Sequence, residues 1–230
     1  MVIHRKQIKT ALGMLMVLMI CFVDMMWGAS FIYRWKADGT VISVRNASTD
    51  LPGIFLQNLI LFIVPLILFV AMLFILRKDF ADEMYLRVTG KKQAVILLIL
   101  GGILLLLTVF CMVTKEDKIS VLYSMVYYLV FIAFAEEFVV RDVCVYLLRN
   151  ERKVIQYVVP NLIFAFMHVF AYAGWGSVTV TDMAHFVTSD LFGLIAVGCL
   201  FQFLKEKSNT IWIPVLVHAI MDDLAVFGYR

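Results

Sequence analysis

The chain has 230 residues, 63% of them apolar and 16% charged, and 20 Lys and Arg against 17 Asp and Glu leave a net charge of +3. A soluble domain carries about 45–50% apolar and about 25% charged residues, so this composition excludes one and describes a polytopic membrane protein. The small net charge gives no basis for nucleic-acid binding, and no polar stretch is long enough to form a second, soluble domain.

Apolar runs in chain order predict spans near 11–33, 54–76, 94–114, 119–148, 154–173, 183–204 and 211–229. A spanning helix needs about 20 apolar residues, so seven use roughly 140 positions and leave short connections. The expected fold is all-α, a polytopic transmembrane helical bundle of about seven spans. It forms a single membrane-embedded domain over 1–230, with N-terminal spans to about 118 and a core over 119–230.

The first run follows the basic start His4-Arg5-Lys6 and continues to about Tyr33 with no small-residue cleavage site, so it reads as a retained span. With the N-terminus inside, inner segments hold Arg5, Lys6, Lys9, Arg77, Lys78, Arg87, Lys91, Lys92, Arg149, Arg152, Lys153, Lys205 and Lys207. These thirteen stand against six outside (Arg34, Lys36, Arg45, Lys115, Lys118 and Arg230), which favours a cytoplasmic N-terminus. Trp27, Tyr33, Trp35, Tyr172, Trp175 and Trp212 lie near span ends, as interfacial anchors do.

The 77–92 loop, with Phe80, Met84, Leu86 and Val88 among charges, predicts an amphipathic surface helix. The 171–182 loop reads as a connector, with a lid as the other option. Cys21, Cys111, Cys144 and Cys199 lack C-x-x-C spacing and read as buried small hydrophobes.

An ionised side chain at the centre of a span costs about 2.5–3.5 kcal/mol on insertion scales, so such residues face a cavity or a partner. The first three spans contain only Asp24, whereas Glu136, Glu137, Arg141, Asp142, His168, His185, Asp190, His218, Asp222 and Asp223 follow from the fourth onward. Glu137 and Arg141 are four apart on one helical face, where an ion pair offsets desolvation. Glu136 is turned about 100° away and left free, as a general base requires. A purely structural network around Arg141 accounts for that motif equally well.

His168 ends the apolar stretch Phe164-Ala165-Phe166-Met167, where a lone histidine is more often a hydrogen-bonded core residue. His218 and Asp222, four apart, share a face suited to fixing a tautomer, sharing a metal or binding an oxyanion, or to a polar clamp between helices. Asp223, a further 100° round, is expected to have a different role or to face the outer end of the span.

The ordered set Glu136-Glu137…Arg141, Phe164…His168 and His218…Asp222 resembles the motifs E-E-x-x-x-R, F-x-x-x-H and H-x-x-x-[N/D] of the CAAX prenyl endopeptidase and bacteriocin-processing (CPBP, or Abi) family of intramembrane proteases. Asn161-Leu162-Ile163 before the second motif, Phe192-Gly193, and Thr210-Ile211-Trp212-Ile213-Pro214 before the third are also similar. The resemblance spans roughly 121–223. Asp142 departs from the small residue that often follows the arginine. Asp222 stands where asparagine is the other choice, and an ionised Asp cannot donate to an oxyanion.

The resemblance implies an intramembrane endopeptidase, glutamate- or metal-dependent. Its catalytic set would be Glu136 and His168 polarising a water, His218 and Asp222 steadying the tetrahedral intermediate, and Glu137 and Arg141 tuning Glu136. The same histidines and carboxylates could instead hold a divalent metal such as zinc, and the residues leave both versions open. Implied partners are a peptide or protein substrate, lipidated or not, and membrane lipids, with no nucleic acid.

Compatible functions are CAAX-type cleavage and processing of bacteriocin or other peptide precursors, with self-immunity. Rivals are a non-catalytic peptide-binding or immunity protein and, behind it, a transporter. No H-E-x-x-H motif occurs, and Gly28-Ala29-Ser30 reads as helix packing. Short loops suit a bacterial cytoplasmic membrane.

Overall fold

The computed structural model describes residues 34–35, 41–169 and 179–228. The expected first span with Cys21, Asp24, Trp27, Gly28 and Tyr33, and the loop residues Tyr172 and Trp175, lie outside them. The described residues form an all-α bundle, apart from a two-residue antiparallel pair in which β1 (Arg34–Trp35) sets Arg34 opposite Ile42 of β2 (Val41–Ile42).

Helix α1 (Leu51–Leu61) starts where the Asp50 carboxylate accepts the Gly53 N–H at 3.1 Å, with Pro52 in its first turn. It meets α2 (Ile63–Leu76) at a 45° bend. Helix α3 (Lys91–Thr114) is capped by Gln93, whose Oε1 accepts the Gly90 N–H at 2.8 Å. Helix α4 (Lys118–Leu147) opens on Asp117, which accepts the Ser120 N–H at 3.0 Å. Helix α5 (Lys153–Met167) is followed by α6 (Val180–Ser189) and α7 (Leu191–Ser208), joined at 47°, and by α8 (Trp212–Gly228). Asn209 stops α7 in the left-handed conformation (φ 54°) that asparagine tolerates.

Among the described residues, helices α3 and α4 are each long and apolar enough to cross a membrane, and counting each bent pair as one span raises the number to four. The protein is an integral membrane protein. The apolar run near 154–173 gives a helix that ends earlier, at Met167, and is too short to span by itself. The 77–92 loop also differs from expectation. Only Phe80–Glu83 forms an α-turn, and Phe80 and Met84 are buried in the main apolar core with Leu104, Phe138, Val143 and Val215. Burying those two side chains inside the protein removes the apolar face that a surface helix would need.

Contacts define the two ends of the bundle. At the lysine- and arginine-rich end, Gln93 Nε2 donates to Ser208 O at 2.6 Å, Ile211 N to Tyr85 O at 2.9 Å, and Trp212 Nε1 to Leu86 O at 2.8 Å. At the other end Ser48 Oγ donates to Asp117 at 2.5 Å, and Asn58 Nδ2 to the Tyr123 hydroxyl at 2.5 Å.

The pairing of α5 with α7 follows from Pro160. A helical proline has no N–H for the carbonyl four residues back. That carbonyl, Gln156 O, accepts the buried Gln202 Nε2 of α7 at 3.0 Å instead. One turn on, Asn161 Nδ2 donates to Tyr157 O at 2.8 Å and lies 3.3 Å from Gln202 Oε1.

Candidate active site

Glu136 sits eleven residues before the end of α4, roughly 15 Å inside the bundle at helical rise. Around it α4 is not uniform. The three-residue α-turn Ala135–Glu137 lies between two wider π-helical stretches, Tyr127–Phe134 and Phe138–Cys144. Such widenings cluster at functional sites because they rotate side chains out of regular register. Glu136 and Glu137 still diverge as adjacent helical residues must.

Glu137 points inward and is fully buried. Its Oε2 lies 3.3 Å from Arg141 Nε, and its Oε1 lies 3.0 Å from His218 Nδ1 on α8. The Arg141 guanidinium, also fully buried, stacks over the Phe164 ring at 4.1 Å and lies 5.6 Å from the Phe201 ring. Its Nη1 and Nη2 have no hydrogen-bond acceptor among the described residues.

The carboxylate of Glu137 accepts from His218 Nδ1–H, which leaves Nε2 as the working nitrogen. The His218 ring is held between Phe201, stacked at 4.8 Å, and the edge of Phe164 at 6.1 Å. On α5, Nδ1 of His168 donates to Phe164 O at 2.8 Å, so its Nε2 also faces away from its own helix.

Both Nε2 atoms face one oxygen. Glu136 Oε2 is 3.8 Å from His168 Nε2 and 3.9 Å from His218 Nε2, and Asp222 Oδ2 is 3.6 Å from the latter. These separations exceed a direct hydrogen bond and match one water held at about 2.8 Å from each neighbour. Glu136 Oε2 is itself buried without a hydrogen-bond partner among the described residues. The side chains of Glu136, His168 and Asp222 keep 18%, 20% and 28% of their surface exposed, so the cluster is reachable, while His218 keeps 6%.

The expected six residues thus occupy one neighbourhood, Glu136, His168, His218 and Asp222 around a common point and Glu137 and Arg141 behind them. Among the described residues no three His, Cys, Asp or Glu side chains are grouped, as placed, to hold one ion.

Other ionisable residues lie apart. Asp223 accepts from Ser124 Oγ at 3.3 Å, and His185 is exposed, 3.9 Å from Asp190. Cys111 and Cys144 are buried and Cys199 is half-buried.

The sequence reading assigned Glu137 to Glu136 and left its bond to His218 unseen, because the partners are 81 positions apart. It also missed Gly198 of α7. A Cβ there would lie 2.4 Å from Asn161 Oδ1 and 2.9 Å from Arg141 Nη2, so only glycine lets α7 approach the arginine. Lys205, three per cent exposed, escaped notice as an inner-loop charge although it pairs with Asp142 at 2.5 Å.

This apolar helical bundle gathers two carboxylates and two imidazoles, Glu136, Asp222, His168 and His218, around a water-sized gap. Residues 118–224 match the family model described as type II CAAX prenyl endopeptidase Rce1-like, and over that stretch the chain is similar to this family of membrane peptidases. The matched stretch holds every residue of the cluster. No curated protein and no solved structure matches the chain.

Proposed function

We propose that the protein is an intramembrane endopeptidase that hydrolyses a peptide bond near a lipidated cysteine, with Glu136 as the general base and the chemistry confined to 119–230. The observation that carries this reading is the approach of both Nε2 atoms to Glu136 Oε2 at 3.8 and 3.9 Å.

A water in that gap gives a proton to Glu136 while its oxygen bonds to the substrate carbonyl carbon. His168 Nε2 fixes the water's direction. His218, protonated on Nε2, donates to the developing oxyanion, and Glu137 holds the ring in the orientation this needs. The C–N bond then breaks as the proton on Glu136 passes to the amine nitrogen, which returns the glutamate to its starting state. Asp222, 3.6 Å from the same nitrogen, stabilises the imidazolium. General base action contributes about 10²–10⁴-fold and an oxyanion donor about 10²–10³-fold.

The family description motivates a prenylated C-terminal peptide as the first substrate, with bacteriocin-type precursors as the second. The clustering of basic loop ends supports a cytoplasmic N-terminus in a bacterial cytoplasmic membrane, with the site reached from that side. The test is release of the C-terminal tripeptide from a farnesylated peptide ending Cys-Val-Ile-Met by protein in liposomes, read by mass spectrometry, before and after a chelator. Release unchanged by the chelator supports the reading. Retained peptide binding without release would favour a non-catalytic immunity protein, and loss on chelation would return the mechanism to a metal.

A further inference from the structure

The inner end of the bundle contains a cavity of about 480 Å³ that does not include Glu136, His168 or His218. Among its lining residues are Tyr85, Asp142, Arg149, Lys153, Gln202 and Lys205. At its wall Lys205 Nζ of α7 makes three contacts: to Asp142 Oδ1 at 2.5 Å, to the backbone oxygen of Arg141 at 2.5 Å, and over the Tyr85 ring at 4.2 Å. Asp142 is 1% exposed.

Neutralising a buried aspartate requires only a nearby positive charge. The bond to Arg141 O is a different matter, because it fixes the backbone from which the guanidinium extends. Arg141 lies in the π-helical stretch Phe138–Cys144, where a widened turn leaves the register less tightly specified than in an α-helix. From Arg141 the contacts run to Glu137, from Glu137 to His218 Nδ1, and from His218 Nε2 to the gap beside Glu136. Gly198, about two turns before Lys205 on α7, admits the same arginine. One helix therefore holds Arg141 at both its backbone and its side chain.

We infer that Lys205 is a positioning residue of the Glu136 site, which sets the register of Arg141 and through it the orientation of His218. Asp142 fixes the ammonium over the Arg141 carbonyl. The inference rests on the proposed peptidase reading.

The experiment compares three proteins in the farnesyl-peptide release assay, each first matched for thermal unfolding in detergent. Lys205→Met with Asp142→Asn removes both charges together, so no orphan charge is buried, and it also removes the donor to Arg141 O. Lys205→Gln with Asp142→Asn removes the same charges but keeps an N–H donor. Glu136→Gln reports on the reading itself.

The expected result is a fall in kcat of at least tenfold in the Met pair with KM within twofold, and recovery of at least threefold in the Gln pair. Wild-type kcat in the Met pair, with Glu136→Gln inactive, overturns the role of Lys205 and leaves the peptidase reading intact. Equal loss in both pairs overturns the role of the carbonyl bond. Turnover retained by Glu136→Gln overturns the peptidase reading and this inference with it.

Discussion

Residues 51–114 and 118–228 are built from similarly apolar sequence but hide different things. In the first region the large side chains Phe74, Leu98 and Val113 are about three-quarters exposed, and the buried polar groups are neutral: Gln57, Asn58 and Thr108. In the second, Glu137, Arg141, Asp142, Lys205, His218 and Asp223 are buried. With no water outside the bundle, apolar side chains gain little by turning inward, and the interior goes to charges that pair with one another. The first region supplies a lipid-facing wall with a neutral lining, and the second contains the polar core.

The sharpest way to break that contrast is at Glu136. Glu136→Gln keeps the size of a side chain that makes no structural ion pair with Arg141, so tripeptide release should fall at least 10³-fold while the unfolding temperature stays at the wild-type value. A parallel loss of stability would mean that Glu136 belongs to the structural network.

Glu137→Gln should affect both properties. It strands the Arg141 charge and loosens His218, which predicts at least 10²-fold slower release together with a loss of about 3–5 kcal/mol in denaturant titrations. Gly198→Val forces a side chain against Asn161 and Arg141 and should cost about 1–3 kcal/mol, with activity falling in step. At the other extreme Leu98→Ala, on the 75% exposed face of α3, should shift stability by less than about 0.5 kcal/mol and leave turnover unchanged. A large effect there would place the face in a protein contact rather than against lipid.

The helices and the polar half were legible in the sequence because both depend on local pattern. Apolar runs locate helices, and the four-residue spacings of Glu137–Arg141 and His218–Asp222 fix which side chains share a face. The division of labour between the two adjacent glutamates followed from the 100° step, although the flanking turns of α4 are π-helical. What escaped the sequence depends on partners distant along the chain. Glu137 and His218 meet only through the packing of α4 on α8. Lys205 looked like a loop charge because nothing local shows the Asp142 carboxylate that pairs with it. Gln202 matters because Pro160, on another helix, leaves Gln156 O without its usual donor. The short 77–92 helix failed to extend because Phe80 and Met84 found places in the core.

The central claim is that Glu136 and His168 act on one water. It is tested most directly by a double-mutant cycle on tripeptide release with Glu136→Gln, His168→Ala and the two combined. Groups serving the same water are strongly non-additive, so the combined variant should be no more than about threefold slower than Glu136→Gln alone. Losses that multiply across the pair would contradict a shared site.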